Sequence, residues 1–134
     1  MNTEIDKIAW LHIVDGRILT ARSKGKDTYY LPGGKREPGE SDIDTLVREI
    51  EEELSVRINR KTAARVDSFH AAAHGKLEGV QVTMTCYTAD YEGELNPASE
   101  IEALAWFTYK DRERVSAVCQ MIFDYLHNEK MLAD

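Results

Sequence analysis

Cysteine is scarce in these 134 residues: only Cys86 and Cys119 occur, and neither sits in a CxxC pair. That excludes a disulfide-built scaffold and removes the usual spacing for zinc or thiol-redox chemistry. Both cysteines are expected reduced and buried. With 3 Pro and 8 Gly the chain is also too poor in breakers for a low-complexity or disordered polymer. No apolar run approaches the roughly 20 residues that span a bilayer, and Glu4, Asp6 and Lys7 put charge ahead of the first apolar stretch. No membrane association is expected, and the expected compartment is the cytoplasm. Basic residues are outnumbered, 17 Lys and Arg against 24 Asp and Glu, for a formal net charge of −7. So acidic a surface repels a nucleic-acid backbone, and no basic cluster larger than Arg57, Arg60 and Lys61 offsets it. Nucleic acid is not an expected partner, and an anionic ligand would need cations to hold it.

What remains is the balance of a folded globular chain, 43% hydrophobic and 31% charged. Its length suits one domain over residues 1–134. Ile8 to Val14 and Arg17 to Arg22 flank Asp15-Gly16, a dipeptide suited to a tight hairpin turn, which predicts an opening β-hairpin. Tyr29-Tyr30-Leu31 is stopped by Pro32, and a long functional loop is predicted to begin at Gly33-Gly34. Ala64 to Phe69, Val80 to Ala89 and Ala103 to Phe107 read as strands; in the second, Val80, Val82, Met84, Cys86 and Thr88 share one face. A last helix is predicted from about Asp111 to His127, with Val115, Val118, Cys119, Ile122, Phe123 and Leu126 as its buried stripe.

The informative element lies between. Ser41 is a good N-cap, Asp44 can complete a capping box, and Ile43, Leu46, Val47, Ile50 and Leu54 recur at helical spacing, which predicts a helix over Asp42 to Leu54. At about 100° per residue, Glu49, Glu52 and Glu53 fall together on one flank beside the apolar stripe. Like charges three and four apart repel, so a helix shaped for stability alone would intersperse lysines there. The run Glu51-Glu52-Glu53 by itself is also what a plain solvated face looks like. A hard divalent cation, Mg²⁺ or Mn²⁺, matches a set of carboxylate oxygens and bridges to phosphate. Arg48, adjacent on the wheel, can orient a carboxylate by a bidentate contact.

The loop before the helix sharpens the reading. Gly33-Gly34-Lys35-Arg36-Glu37-Pro38-Gly39-Glu40 brings glycines, cations and another acid to the helix N-terminus. The stretch GGKREPGESDIDTLVREIEEELSV, Gly33 to Val56, resembles the Nudix box, with Gly34, Glu40, Arg48, Glu49, Ile50, Glu52, Glu53 and Val56 all matching. Ser55 departs from it, standing where that family usually has Gly. The resemblance implies a Nudix-like α/β/α sandwich around a central mixed sheet. It implies that Glu49, Glu52 and Glu53 bind divalent metal, that Glu40 assists directly or through water, that Arg48 orients the carboxylates, and that Glu49 is the first candidate for general base. It also implies a further acid outside the box, for which Glu100 is the candidate and Glu102 the runner-up. Gly33, Gly34 and Lys35 are the candidate substrate contacts; Lys35 and Arg36 read equally as surface charge.

The implied activity is metal-dependent hydrolysis of a phosphoanhydride in a nucleoside diphosphate linked to another group. A nucleoside triphosphate or modified nucleotide, giving a monophosphate and pyrophosphate, leads the substrate classes. ADP-ribose, nucleotide sugars, dinucleoside polyphosphates and capped RNA ends are the others. A nucleotide-sensing module without catalysis is the competing class, against which the intact Glu49, Glu52 and Glu53 argue. Homodimers are common in the resembled family, so a homodimer is expected. His70 and His74 are four apart, but no Glu follows His70 as a zinc helix requires. His12 and His127 read as structural or exposed. Tyr29, Tyr30 and Phe69 read as core aromatics or as base-stacking surfaces, and the loops Ser23 to Thr28 and His70 to Gly79 as the segments that set specificity.

Overall fold

The structure, a computed structural model, describes residues 3–72 and 80–134. Strand β1 (Thr3–Trp10) is followed by the short β2 (Ile13–Val14), β3 (Arg17–Ser23) and β4 (Gly33–Lys35). Helix α1 (Asp42–Leu54) leads to β5 (Arg57–Ile58), β6 (Ala64–Ala72), β7 (Val80–Thr88), β8 (Tyr91–Glu92), β9 (Ile101–Phe107) and α2 (Ala117–Asn128). The main sheet has the order β4-β1-β7-β6, with β1 parallel to β7 and the other pairs antiparallel, so it is mixed. A second sheet, β2-β3-β9, is antiparallel, and β5 pairs with β8.

Alternation along the strands divides the core between the two helices. Ile8 and Trp10 of β1 join Leu19, Leu46, Ile50 and Leu54 on the α1 side. Ala9, Leu11, Ile18, Met84 and Cys86 join Cys119, Ile122 and Phe123 on the α2 side. The result is the expected α/β/α arrangement around a mixed sheet. Both cysteines are free and buried. No helix among the described residues is long and apolar enough to cross a membrane.

Helix α1 has the predicted bounds because its ends are chemically marked. Ser41 accepts from the Asp44 N–H at 3.1 Å and Asp44 accepts from the Ser41 N–H at 3.2 Å, a reciprocal box worth about 0.5–2 kcal/mol. Leu46, Ile50 and Leu54 are fully buried, each contributing about 1.5–3 kcal/mol. Ser55 ends the helix at φ 63° and ψ 22°, a left-handed conformation that costs a residue with a Cβ about 1 kcal/mol.

Three expectations are corrected. Ile8 to Val14 is not one strand: β1 begins earlier, at Thr3, and ends at Trp10, and Leu11-His12 carries the chain into the second sheet, where the His12 carbonyl accepts from Leu19. The hairpin itself forms as predicted, Ile13 opposite Ile18, with Asp15 and Gly16 both at positive φ. The predicted helix from Asp111 to His127 is broken. A 3₁₀ segment, Tyr109–Arg114, gives way to extended Val115, which bridges to Tyr29, and α2 starts after Ser116. Burying Val115 against the core while pairing its neighbours with Tyr29 is incompatible with a continuous helix there. Finally, Gly33-Gly34-Lys35 is a strand antiparallel to β1, not the start of a loop.

Candidate functional site

Gly33 and Gly34 are where two backbones and a catalytic-type side chain crowd together. Gly33 has φ +146°, and a Cβ there would lie 2.0 Å from the Ile8 carbonyl oxygen. A Cβ on Gly34 would lie 2.4 Å from Cδ of Glu49. Only bare backbone lets β4 lie flat on β1 while α1 projects Glu49 over it. Their role is close approach, not flexibility.

Arg48 is the hub of the site. Its Nε and Nη2 donate to the two oxygens of Glu40 at 2.7 and 2.9 Å, its Nη1 donates to Glu49 Oε1 at 2.8 Å, and its Nη2 reaches the Lys35 carbonyl at 3.1 Å. Glu40 also accepts from the Glu37 N–H and the Thr45 hydroxyl, both at 2.9 Å. Three of these donors converge on Oε1, and one is on Oε2. Arg48, first, and the Glu37 N–H hold the Glu40 carboxyl down to about 2, and the same contact with Glu40 raises the Arg48 guanidinium above its ordinary value. The fork fixes the loop before the helix to the helix itself.

Glu53 is the most buried acid among the described residues, with 3% of its surface exposed. Its Oε1 accepts from the Gly33 N–H at 3.0 Å. Burial, reinforced by the charges of Glu49 and Glu100, pushes its carboxyl up to about 8. Burial also raises Glu49, against the pull of Arg48. Glu100, just before β9, accepts from the Ser99 hydroxyl at 2.6 Å, which lowers its carboxyl. Glu52 shares the flank but stays open, its side chain 55% exposed and 3.7 Å from Arg48.

Of the sequence candidates, Glu49, Glu53, Glu100, Gly33, Gly34 and Lys35 come together on one pocket of about 800 Å³. Glu40 lies behind Arg48 and Glu52 on the outer flank. Glu102, the alternative to Glu100, is turned away and pairs with Arg22 at 2.6 Å. Tyr30 lines the pocket, its hydroxyl 2.5 Å from that of Ser23, and burial pushes it up to about 12; Tyr29 and Phe69 pack on the α2-side core. His70 is on β6 and contacts the Thr83 hydroxyl; His74 and the rest of that loop, residues 73–79, lie outside the described residues. His12 stacks on Trp10, while His127 stacks on Tyr109.

Sequence reasoning missed Lys7, the cation whose charge eases Glu53, and the pocket floor of Ile5, Val82 and Met84. Alternation from Ala9 places Ile5 and Lys7 on that face, but only if β1 is begun at Thr3. The floor is open because the 12 residues of α2 cover only part of the sheet, and the N-terminal Ala117 and Val118 form the pocket's edge.

The acids on the pocket, Glu49, Glu53 and Glu100, offer carboxylate oxygens as metal ligands. Glu49 and Glu53 each keep an Oε2 to which no described residue donates. Among the described residues no three acids converge as placed into a cage, because Arg48 draws Glu49 aside and Gly33 holds Glu53. The donor chemistry fits a hard divalent ion.

The NUDIX domain family matches residues 7–118. Among solved structures, the MutT NUDIX hydrolase of Burkholderia pseudomallei is 25% identical with a TM-score of 0.76, covering 92% of this chain and 98% of its own. The E. coli ORF135 protein is likewise 25% identical, TM-score 0.72, with 96% of this chain and 92% of its own covered. A UDP-X diphosphatase shares the fold at 19% identity and a TM-score of 0.70, over 97% of this chain and 65% of its own. No curated protein sequence matches the chain. With the box, the mixed sheet and a family match running from β1 into α2, the chain belongs to the Nudix hydrolase family.

Proposed function

We propose that this chain hydrolyses the phosphoanhydride of a nucleoside triphosphate or modified nucleotide to a nucleoside monophosphate and pyrophosphate. The family acts generally on nucleoside diphosphates linked to another group. The observation that carries the narrower reading is the pocket itself: a wall of Glu49, Glu53 and Glu100 faces an apolar floor of Ile5, Val82 and Met84. A polyphosphate belongs at the first and a planar base at the second, and about 800 Å³ accommodates a nucleotide.

Glu49, Glu52 and Glu53 would hold Mg²⁺ or Mn²⁺, which when bound neutralises phosphate oxygens and acidifies the attacking water. Glu49, held through Oε1 by Arg48, keeps Oε2 unbonded and would serve as the base that takes a proton from the attacking water. Glu100 lines the pocket with Glu53 and assists from the same acidic wall. Glu40 acts through Arg48, as a positioning residue. Lys7 and Lys35 offer cations to the phosphates, and Gly33 and Gly34 lie along the same pocket.

The test is a panel of triphosphates, nucleotide sugars, ADP-ribose and dinucleoside polyphosphates with Mg²⁺, following phosphate and pyrophosphate release. Monophosphate and pyrophosphate from a triphosphate are expected, with solvent ¹⁸O in one of them and no turnover in EDTA. Full turnover in metal-free protein overturns the metal assignment. If one compound binds tightly in calorimetry and none is cleaved, a sensing role replaces this one.

A further inference from the structure

Strands β3 and β9 run in register from Ile18 opposite Phe107 to Arg22 opposite Ala103, and then slip, so that Ser23 faces Ile101 across a bulge. A bulge ends regular pairing and re-aims the chain. Beyond it Ser23, Gly25, Lys26, Asp27 and Thr28 pass along the pocket. This segment is tied to β9 and to the residue just before it. The Lys24 N–H donates to the Glu100 carbonyl at 2.8 Å, and the Lys26 N–H closes a turn on the Ser23 carbonyl at 3.1 Å. Arg22, one residue before the slip, sits 2.6 Å from Glu102 and donates to the Lys26 carbonyl at 2.9 Å. Its guanidinium also lies over the Tyr29 ring, 5.7 Å from the centroid. One side chain thus joins an acid on β9, the turn of the loop and the returning chain.

The Glu102 side chain is 48% exposed, and an ion pair so open to water adds little to global stability. Its effect is local. We propose that Arg22 and Glu102 form a clasp that sets the shape of the Ser23–Thr28 segment and, through it, which nucleoside the pocket accepts; this rests on the pocket being the substrate site. Lys26, Asp27 and Ser23 then face the substrate in an arrangement fixed by a pair that never touches it. Glu100 and Glu102, two residues apart, divide the work: one faces Glu53 and the other faces the loop.

The experiment compares the parent with Glu102→Ala, Arg22→Met and Arg22→Lys. Amide hydrogen exchange is read at Lys24 and Lys26, and calorimetry with Mg²⁺ gives Kd for the α,β-methylene analogues of dATP, dCTP, dGTP and dTTP. In Glu102→Ala and Arg22→Met, exchange at those two amides should rise at least tenfold with the rest of the chain protected as in the parent. The ratio of Kd between worst and best analogue should shrink at least threefold. Arg22→Lys, which keeps a charge for Glu102, should recover part of both. Parent-like exchange overturns the clasp, and so does faster exchange with an unchanged Kd ratio. Should the parent bind none of the four analogues, the triphosphate reading is what fails. Exchange alone then decides, a tenfold rise supporting the clasp and a parent-like rate overturning it.

Discussion

Gly34→Ala puts a methyl group where the Glu49 carboxyl now lies. The added Cβ would sit 2.4 Å from Cδ, 2.5 Å from Oε2 and 2.7 Å from Oε1 of Glu49, against an ordinary contact of about 3.5–4 Å. The backbone of Gly34 is not at positive φ, so alanine is tolerated there and the clash alone decides. The carboxyl must move by roughly 1 Å. That breaks the 2.8 Å contact with Arg48, a charged hydrogen bond worth about 1.5–3 kcal/mol. Restricting the unfolded chain returns about 0.4–1 kcal/mol, leaving a loss of about 1–2 kcal/mol. In a Glu49→Ala background the clash vanishes, and Gly34→Ala should stabilise by about 0.4–1 kcal/mol. Urea unfolding of the four proteins in EDTA therefore yields a coupling of about 1.5–3 kcal/mol. Coupling below about 0.5 kcal/mol, or a Gly34→Ala protein more stable than its parent, refutes the argument. With Glu49 as the base, a displacement of this size should lower kcat of the single variant by about 10²-fold.

Glu53 gives the metal-free protein a pH dependence of definite sign. Its folded carboxyl lies at about 8 and its ordinary value is 4.5, so the unfolded chain releases that proton first as pH rises. Stability is fully present below about 4.5 and lost by about 8, on the order of 3–5 kcal/mol, and Glu53→Gln should flatten that loss in urea melts at pH 5 to 8.5 while abolishing turnover. A parent whose stability rises over that range contradicts the burial argument. Ser55→Gly relieves the left-handed cap at φ 63° and should add about 0.5–1 kcal/mol; thermal unfolding that leaves Tm unchanged or lowered goes against it. Thr45→Val removes one donor from Glu40 but leaves the Arg48 fork, so activity should fall less than in Arg48→Ala, which frees both Glu40 and Glu49.

The helix and its acids were legible because local chemistry marks them. Ser41 and Asp44 fix the start, Leu46, Ile50 and Leu54 fix the buried face, and helical geometry then places Glu49 and Glu53. Strand β4 was not, because Gly33-Gly34 has no side chains to pattern and its bonds come from β1. Nor was the break at Val115, which depends on Tyr29, a residue far away in sequence. Sequence spacing does not by itself separate Glu100, just before β9, from Glu102 on it; the bulge at Ser23 and the reach of Arg22 do. Glu40 matched the family pattern; its two hydrogen bonds from Arg48 and those from Glu37 and Thr45 depend on how the loop folds back on the helix, which spacing alone does not give.

The parallel pairing of β1 with β7 sets the order in which this molecule can assemble. Thr3 meets Val80 and Trp10 meets Tyr87, partners 77 residues apart. During synthesis α1 therefore emerges well before the central sheet can close, and closing so large a loop before its contacts form makes folding slower than that of a helical bundle of equal length. The segment that follows β8 arrives later still: the Ala98 N–H binds the Glu53 carbonyl and the Asn96 N–H that of Leu54, fastening the end of α1. An incomplete chain ending before Asn96 would lack both bonds and carry the acidic helix with its last turn untethered.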